Sequence, residues 1–264
     1  MPVSMAFSEV GSGEPIVIVH GLFGSGRNWQ ATARDLARDG YRVMTVDLRN
    51  HGRSPWTPTM RLAELADDLA AFLDERGLVD ATVLGHSVGG KAAMLMALAH
   101  PERVQALIVV DIAPVRYAHS FLGHVEAMQA VDLSALERRA EVADRLQPAI
   151  PDAPTRQFLV QNLVRRHGRL AWRLNLEAIA AAMPDLTGFP DPPAGTLGER
   201  YDGRVLMIRG AESDYIAPEH QSAIFHLFPQ AEFAVIPGAG HRPHVEQPKA
   251  FRERVRTFLE SGYA

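Results

Sequence analysis

A serine hydroxyl becomes a useful nucleophile at neutral pH only when it stands clear of the backbone beside a base. Residues 82–91 read TVLGHSVGGK, and within them Gly85-His86-Ser87-Val88-Gly89 is a G-x-S-x-G pattern. The serine of such a pattern sits on a tight, strained turn, and the flanking glycines let strand and helix approach without a Cβ clash. The pattern alone recurs by chance; here an apolar strand precedes it and an apolar helix follows, which makes Ser87 the candidate nucleophile. The helix that follows offers free N–H groups and its positive end to a developing oxyanion.

Two further pieces are required. A second oxyanion donor is expected from the loop after an earlier strand, and His20-Gly21-Leu22-Phe23-Gly24 follows the apolar run IVIV. The donors are therefore assigned to the N–H groups of Val88 and Leu22, with Phe23 as the substitute for Leu22. Of eleven histidines, His241 stands apart: it closes Pro237-Gly-Ala-Gly-His241, between a strand pattern and the last helix. This obeys the chain order serine, acid, histidine. His20 is read as support for the oxyanion loop, His86 as packing beside the serine turn, and His244 as a local structural residue.

The imidazole also needs a carboxylate to fix its tautomer and stabilise the imidazolium. Asp214 lies in the loop RGAESDY, residues 209–215, and Asp111 ends the run ALIVVD. Each has an ordinary structural alternative, a helix entry or Asx turn for Asp214 and a hinge for Asp111. Position in the chain does not choose between them.

These residues need a frame. Residues 16–20, 43–47, 82–85 and 106–111 are short apolar runs of the kind covered on both faces in a parallel sheet. Between them, residues 29–38, 61–76 and 88–100 carry helical spacing, clearest in Leu62, Leu65, Leu69, Phe72 and Leu73. The alternation predicts a doubly wound α/β sheet. From about 115 to 200 the pattern is helical or irregular with no good strand, with helices expected over 121–130, 136–146, 155–166 and 172–182. Residues 189–198, FPDPPAGTLG, read as turn and linker. Strands resume at 205–208 and 232–236, with helical segments at 218–227 and 247–259. The simplest organisation is a sheet domain of residues 1–114 and 201–264 interrupted by a helical cap, 115–200.

Phe121, Met128, Phe158 and Trp172 read chiefly as the core of that cap, with the roof of an acyl pocket as their alternative. Arg116, Arg165, Arg166 and Arg169 make it locally basic, which reads as a solvated face; contact with an anionic substrate is the alternative.

A chain of 264 residues, 47% hydrophobic, can bury one large core. Its net charge of -4 gives no reason to expect nucleic acid or an anionic membrane as partner. Without cysteine, disulfides, thiolate metal sites and a cysteine nucleophile are excluded. No apolar run approaches the roughly 20 residues that span a bilayer, and no secretory signal is evident, so a cytoplasmic monomer or homodimer is expected.

Together, HGLFGSGRNW (20–29), DLRNHGRSP (47–55), GHSVGGK (85–91), VVDIAPVRY (109–117) and GAGHRPHVEQP (238–248) resemble the YbfF-type esterases of the α/β-hydrolase superfamily. The resemblance runs over nearly the whole chain and is weakest in the cap. It implies a carboxylester hydrolase without metal or organic cofactor, acting on small acyl esters or on thioesters such as acyl-CoA. It also implies that the aspartate matching Asp111 serves as acid, ahead of Asp214, and that Ser213 joins the network around the histidine. Perhydrolysis and carbon–carbon hydrolysis use the same residues and stay open. A ligand-binding protein of this fold that turns nothing over is the alternative of another class.

Overall fold

The computed structural model describes residues 1–190 and 200–262. Seven strands form one sheet in the order β1-β3-β2-β4-β5-β8-β9. They are β1 (Phe7–Val10), β2 (Pro15–Val19), β3 (Arg42–Val46), β4 (Ala81–His86), β5 (Val104–Val110), β8 (Arg204–Gly210) and β9 (Ala231–Ile236). All neighbours pair in parallel except β1 with β3. This is the expected doubly wound α/β fold. The antiparallel edge strand β1 was not foreseen, because FSEV is short and half polar.

Alternation along the strands explains the layers. Ile16, Ile18, Leu84, Ile108 and Val110 share one buried cluster with α1 (Gln30–Arg38) and α10 (Pro248–Glu260). Val17, Val19, Val83, Leu107 and Val109 point to the other, with α2 (Leu62–Glu75) and α3 (Val88–Ala99). With period two, adjacent residues enter opposite faces, so a continuous apolar run fits only a strand covered on both sides.

Residues between β5 and β8 form α4 (Leu122–Ala130), α5 (Arg139–Leu146), α6 (Ala153–Val160), β6 (Leu163–Arg166), β7 (Arg169–Trp172) and α7 (Leu176–Leu186). In the sheet region, α8 (Gln221–Leu227) and α9 (Pro243–Glu246) precede α10. The expectation of no strand between 115 and 200 is therefore corrected. So is the helix over 155–166, which stops at Val160. β6 and β7 make a hairpin whose turn, His167-Gly168, has φ of 48° and 80°. Two successive positive φ values suit a two-residue hairpin turn, and Gly168 takes the second without a steric cost. The helix foreseen over 172–182 starts at Leu176, where the Asn175 side chain accepts the Ala178 N–H. From residue 191 on, the linker reading of 189–198 lies outside the described residues.

Lys91 ties this insertion to the sheet. It is 1% exposed, and its ammonium donates to the carbonyls of Val115, Leu186, Thr187 and Gly188. Val115 begins the excursion and residues 186–188 close α7, whose C-terminal carbonyls favour a cation. Burial pushes the Lys91 pKa down to about 7. Lys91→Met strands several buried acceptors, so a loss of about 2 kcal/mol is expected. Thermal melts at pH 6 should register it as a fall in Tm of roughly 4–8 °C; an unchanged melt contradicts the tie.

Candidate active site

Ser87 occupies the turn between β4 and α3 with φ 53° and ψ −124°, a strained conformation for a residue bearing a Cβ. Its glycines are sterically required: a Cβ on Gly85 would lie 2.3 Å from the Gly89 carbonyl oxygen, and one on Gly89 2.4 Å from that of His20. The strain thus lifts Ser87 above the C-terminal edge of the sheet while helix and strand cross at backbone contact.

His241 arrives from the loop after β9. Ser87 Oγ donates to its Nε2 over 3.2 Å, and its Nδ1–H donates to Asp111 Oδ2 over 2.8 Å. One carboxylate, Glu246, accepts the N–H groups of Gly240 (2.5 Å) and Arg242 (3.1 Å) on either side of His241. His86 Nε2–H donates to the His241 carbonyl over 2.8 Å, and the Tyr215 ring stacks on the imidazole at 3.9 Å. Backbone and ring are therefore held independently of Ser87.

Asp111 is fully buried at the end of β5, with φ 53°. Its Oδ1 accepts the Gly210 N–H at 3.0 Å, and its Oδ2 accepts the Ser213 hydroxyl at 2.5 Å as well as the imidazole. A buried carboxylate is tolerated when its lone pairs are matched by donors, as here. Ser213 thus meets the carboxylate rather than the ring. Asp214 is exposed and lies outside this chain of hydrogen bonds. Of the two acids left open by chain position, the fold brings Asp111 to His241.

In the loop after β2, the Phe23 N–H donates to His51 Nε2 over 3.1 Å. Burial pushes the His51 pKa down to about 3, and its Nδ1–H donates to the Arg49 carbonyl, which leaves Nε2 the acceptor. The Phe23 donor is thereby occupied. Among the described residues, the N–H groups of Leu22 and Val88 have no hydrogen-bond partner. His20 braces the loop by donating from Nδ1 to the Gly21 carbonyl (2.8 Å) and accepting the Leu48 N–H at Nε2 (3.0 Å). His51 lies in the DLRNHGRSP segment, and nothing local in the sequence shows that it reaches residue 23.

Ser87 and His241 open on a cavity of about 520 Å³ lined by Leu22, Phe23, Phe121, Phe158 and Leu159 among others. Of the insertion residues singled out from sequence, Phe121 and Phe158 reach it. Met128 is fully buried, and Trp172 donates to its carbonyl, so both serve the insertion's own packing. Arg116, Arg165, Arg166 and Arg169 do not line it; Arg116 donates to Pro184 and Arg165 to Gly168 and Glu137. Among the described residues, no group of three or more His, Asp or Glu is placed to hold a metal ion. No helix there is long and apolar enough to cross a membrane.

Beneath the site, His244 stacks on Trp29 at 3.9 Å, and its Nδ1 has no partner among the described residues. Burial lowers its pKa to about 3 and takes that of His86 well below the usual value. Unfolded histidine binds its proton near pH 6.5. Below that pH the unfolded chain therefore takes up protons that the fold excludes. The stabilisation is complete above about pH 6.5 and is lost as pH falls toward 3. His244→Phe keeps the stack and removes one such group, so its Tm should fall less steeply than wild type between pH 7 and 5. Parallel slopes would contradict the assignment.

A family model described as alpha/beta hydrolase fold matches residues 14–248. The chain is 39% identical over 251 residues to sn-1-specific diacylglycerol lipase ABHD11 of Mus musculus, covering 92% of this chain and 80% of that one. It is 36% identical over 248 residues to esterase YbfF of Escherichia coli (strain K12), covering 93% and 92%. A solved structure of a marine microorganism esterase superposes with a TM-score of 0.92 at 35% identity, covering 97% and 99%.

Proposed function

The chain belongs to the α/β-hydrolase fold family and is a serine ester hydrolase, and on that premise we propose that it works through an acyl-enzyme on Ser87, with His241 as base and Asp111 as acid. The observation that carries this reading is the hydrogen-bond chain Asp111–His241–Ser87 opening on a cavity walled in part by Leu22, Phe23, Phe121, Phe158 and Leu159.

Ser87 Oγ attacks the carbonyl carbon as its proton passes to His241 Nε2. The negative charge on the carbonyl oxygen is met by the Leu22 and Val88 N–H groups, which need not be freed from other partners. His241 then protonates the leaving alcohol, and water repeats the sequence to release the acid. Buried Asp111 holds the imidazole in the tautomer that leaves Nε2 free to accept. Residues 115–200 act as a cap, with Phe121 and Phe158 against the acyl chain. Nothing in this sequence of steps discriminates oxygen from sulfur in the leaving group, so acyl thioesters are included as substrates.

Hydrolysis of p-nitrophenyl acyl esters of increasing chain length, with acyl-CoA thioesters alongside, tests the reading. The expected result is turnover of both classes with a burst of p-nitrophenol when deacylation is slow. Ester turnover without thioester turnover removes the thioester part; turnover of neither class removes the proposal.

A further inference from the structure

Away from Ser87, a cavity of about 330 Å³ opens between β1, β3 and the insertion, and its wall carries Arg27, Arg53 and Arg173. The three come from separate segments: the turn after β2, the loop after β3 and the chain just past β7. A single carboxylate, Asp47, faces them, and its oxygens already accept the N–H groups of Gly26 and Arg53. Three guanidinium groups against one carboxylate leave two positive charges uncompensated, in a protein whose net charge is -4.

Arg53 is partly engaged, donating to the Phe7 carbonyl and the Ser8 hydroxyl. Among the described residues, the guanidinium groups of Arg27 and Arg173 have neither a hydrogen-bond nor an ion-pair partner. Burial holds the Arg173 pKa below its usual value, and of the nearby charges Asp47 opposes that shift while Arg27, Arg53 and Arg139 add to it. A second observation is independent of charge. Thr45, in the same cavity wall, is 2% exposed and its hydroxyl has no hydrogen-bond partner among the described residues. An unpaired buried hydroxyl costs free energy that a bound acceptor or a water recovers.

We propose that Arg27, Arg53, Arg173 and the Thr45 hydroxyl form an anion-binding site for a phosphoryl group. A planar carboxylate is satisfied by one guanidinium fork, whereas a tetrahedral dianion presents oxygens to several cations approaching from different directions. The site is not isolated. Ser25, Arg27 and Arg173 also line a cavity of about 240 Å³, which shares Phe23, Asn28 and Gln161 with the cavity over Ser87. The phosphoryl group therefore arrives either as a free anion or as the far end of a substrate whose ester lies at Ser87; only the second source rests on the catalytic reading.

Inorganic phosphate, titrated against the full chain at constant ionic strength with chloride as the balance, tests the site by Tm and by calorimetry. A saturable rise in Tm is expected in wild type and equally in Ser87→Ala, with affinity at least tenfold weaker in Arg173→Gln. No effect beyond that of chloride, or equal affinity in Arg173→Gln, overturns the proposal. The source is read from two p-nitrophenyl esters of equal length, one ending in a phosphonate and one uncharged. If Arg173→Gln raises KM about tenfold for the phosphonate ester alone, the site holds part of the substrate. If both KM values stay unchanged while phosphate affinity falls, it holds a free anion. Should wild type cleave neither these esters, nor simple acyl esters, nor acyl-CoA thioesters, the catalytic reading fails, while phosphate binding still decides the site.

Discussion

Replacing Ser87 with alanine is expected to lower kcat on p-nitrophenyl esters by about 10⁶-fold, to the residual rate that binding and oxyanion donors sustain. The size follows from the chemistry assigned to that hydroxyl. Without Oγ no acyl-enzyme forms, and a water in its place lacks both the strained turn that presents the oxygen and the fixed 3.2 Å contact with His241. The fold should survive, since the change removes one oxygen from a residue whose backbone is held by the Ser87 N–H to Val110 and the Lys91 N–H to Ser87. His241→Ala should cost a similar factor, and the double variant little more than either, because the two act as one unit. A fluorophosphonate probe gives a second readout, with wild type labelled and Ser87→Ala not. Equal turnover in wild type and Ser87→Ala would sink the mechanism outright.

The second large effect separates the acids. Asp111→Asn is expected to lower kcat by about 10⁴-fold while KM stays near wild type, and Asp214→Asn to leave both close to wild type. An asparagine at 111 offers an amide N–H or a weaker acceptor to His241 Nδ1, and in the first case the ring turns to the tautomer that protonates Nε2. The Ser87 proton then has nowhere to go. The substitution also leaves the Gly210 N–H and Ser213 hydroxyl aimed at a neutral group, so a melt must accompany the kinetics. Asp214, exposed at the loop surface, has no side-chain hydrogen bond or ion pair among the described residues, and its charge is felt by Tyr215 and His119. The reverse pattern, with Asp214→Asn inactive and Asp111→Asn near wild type, would reassign the acid.

Much of the frame was legible because its causes are local. A continuous apolar run of five or six residues has few folds other than a doubly covered strand, and the stripe of Leu62, Leu65, Leu69 and Phe72 has few other than a helix on that sheet. The serine turn is local too: Gly85, Ser87 and Gly89 lie within five residues, and the clashes that demand glycine involve the same turn and the neighbouring strand end. Ser87 and His241 could accordingly be nominated from chain order and flanking elements alone. The hairpin β6–β7 was lost for the opposite reason, since its four-residue strands carry too little alternation to outweigh a helical pattern running through residue 160.

What the tertiary structure alone decided is which groups meet. The strand order β4-β5-β8-β9 sets the C-terminal ends bearing Ser87, Asp111, Gly210 and the His241 loop side by side, although they lie up to 154 residues apart in sequence. Asp111 and Asp214 both sit on loops at that edge, so chain position could not separate them. The choice rests on a φ of 53° at Asp111 and on two donors, from Gly210 and Ser213, that make a buried carboxylate tolerable beside the imidazole. The same holds for Phe23, whose N–H is taken by His51 from 28 residues away. Turns and strands are written in neighbouring residues, whereas a hydrogen bond between distant loops depends on sheet order and register, which no local pattern encodes.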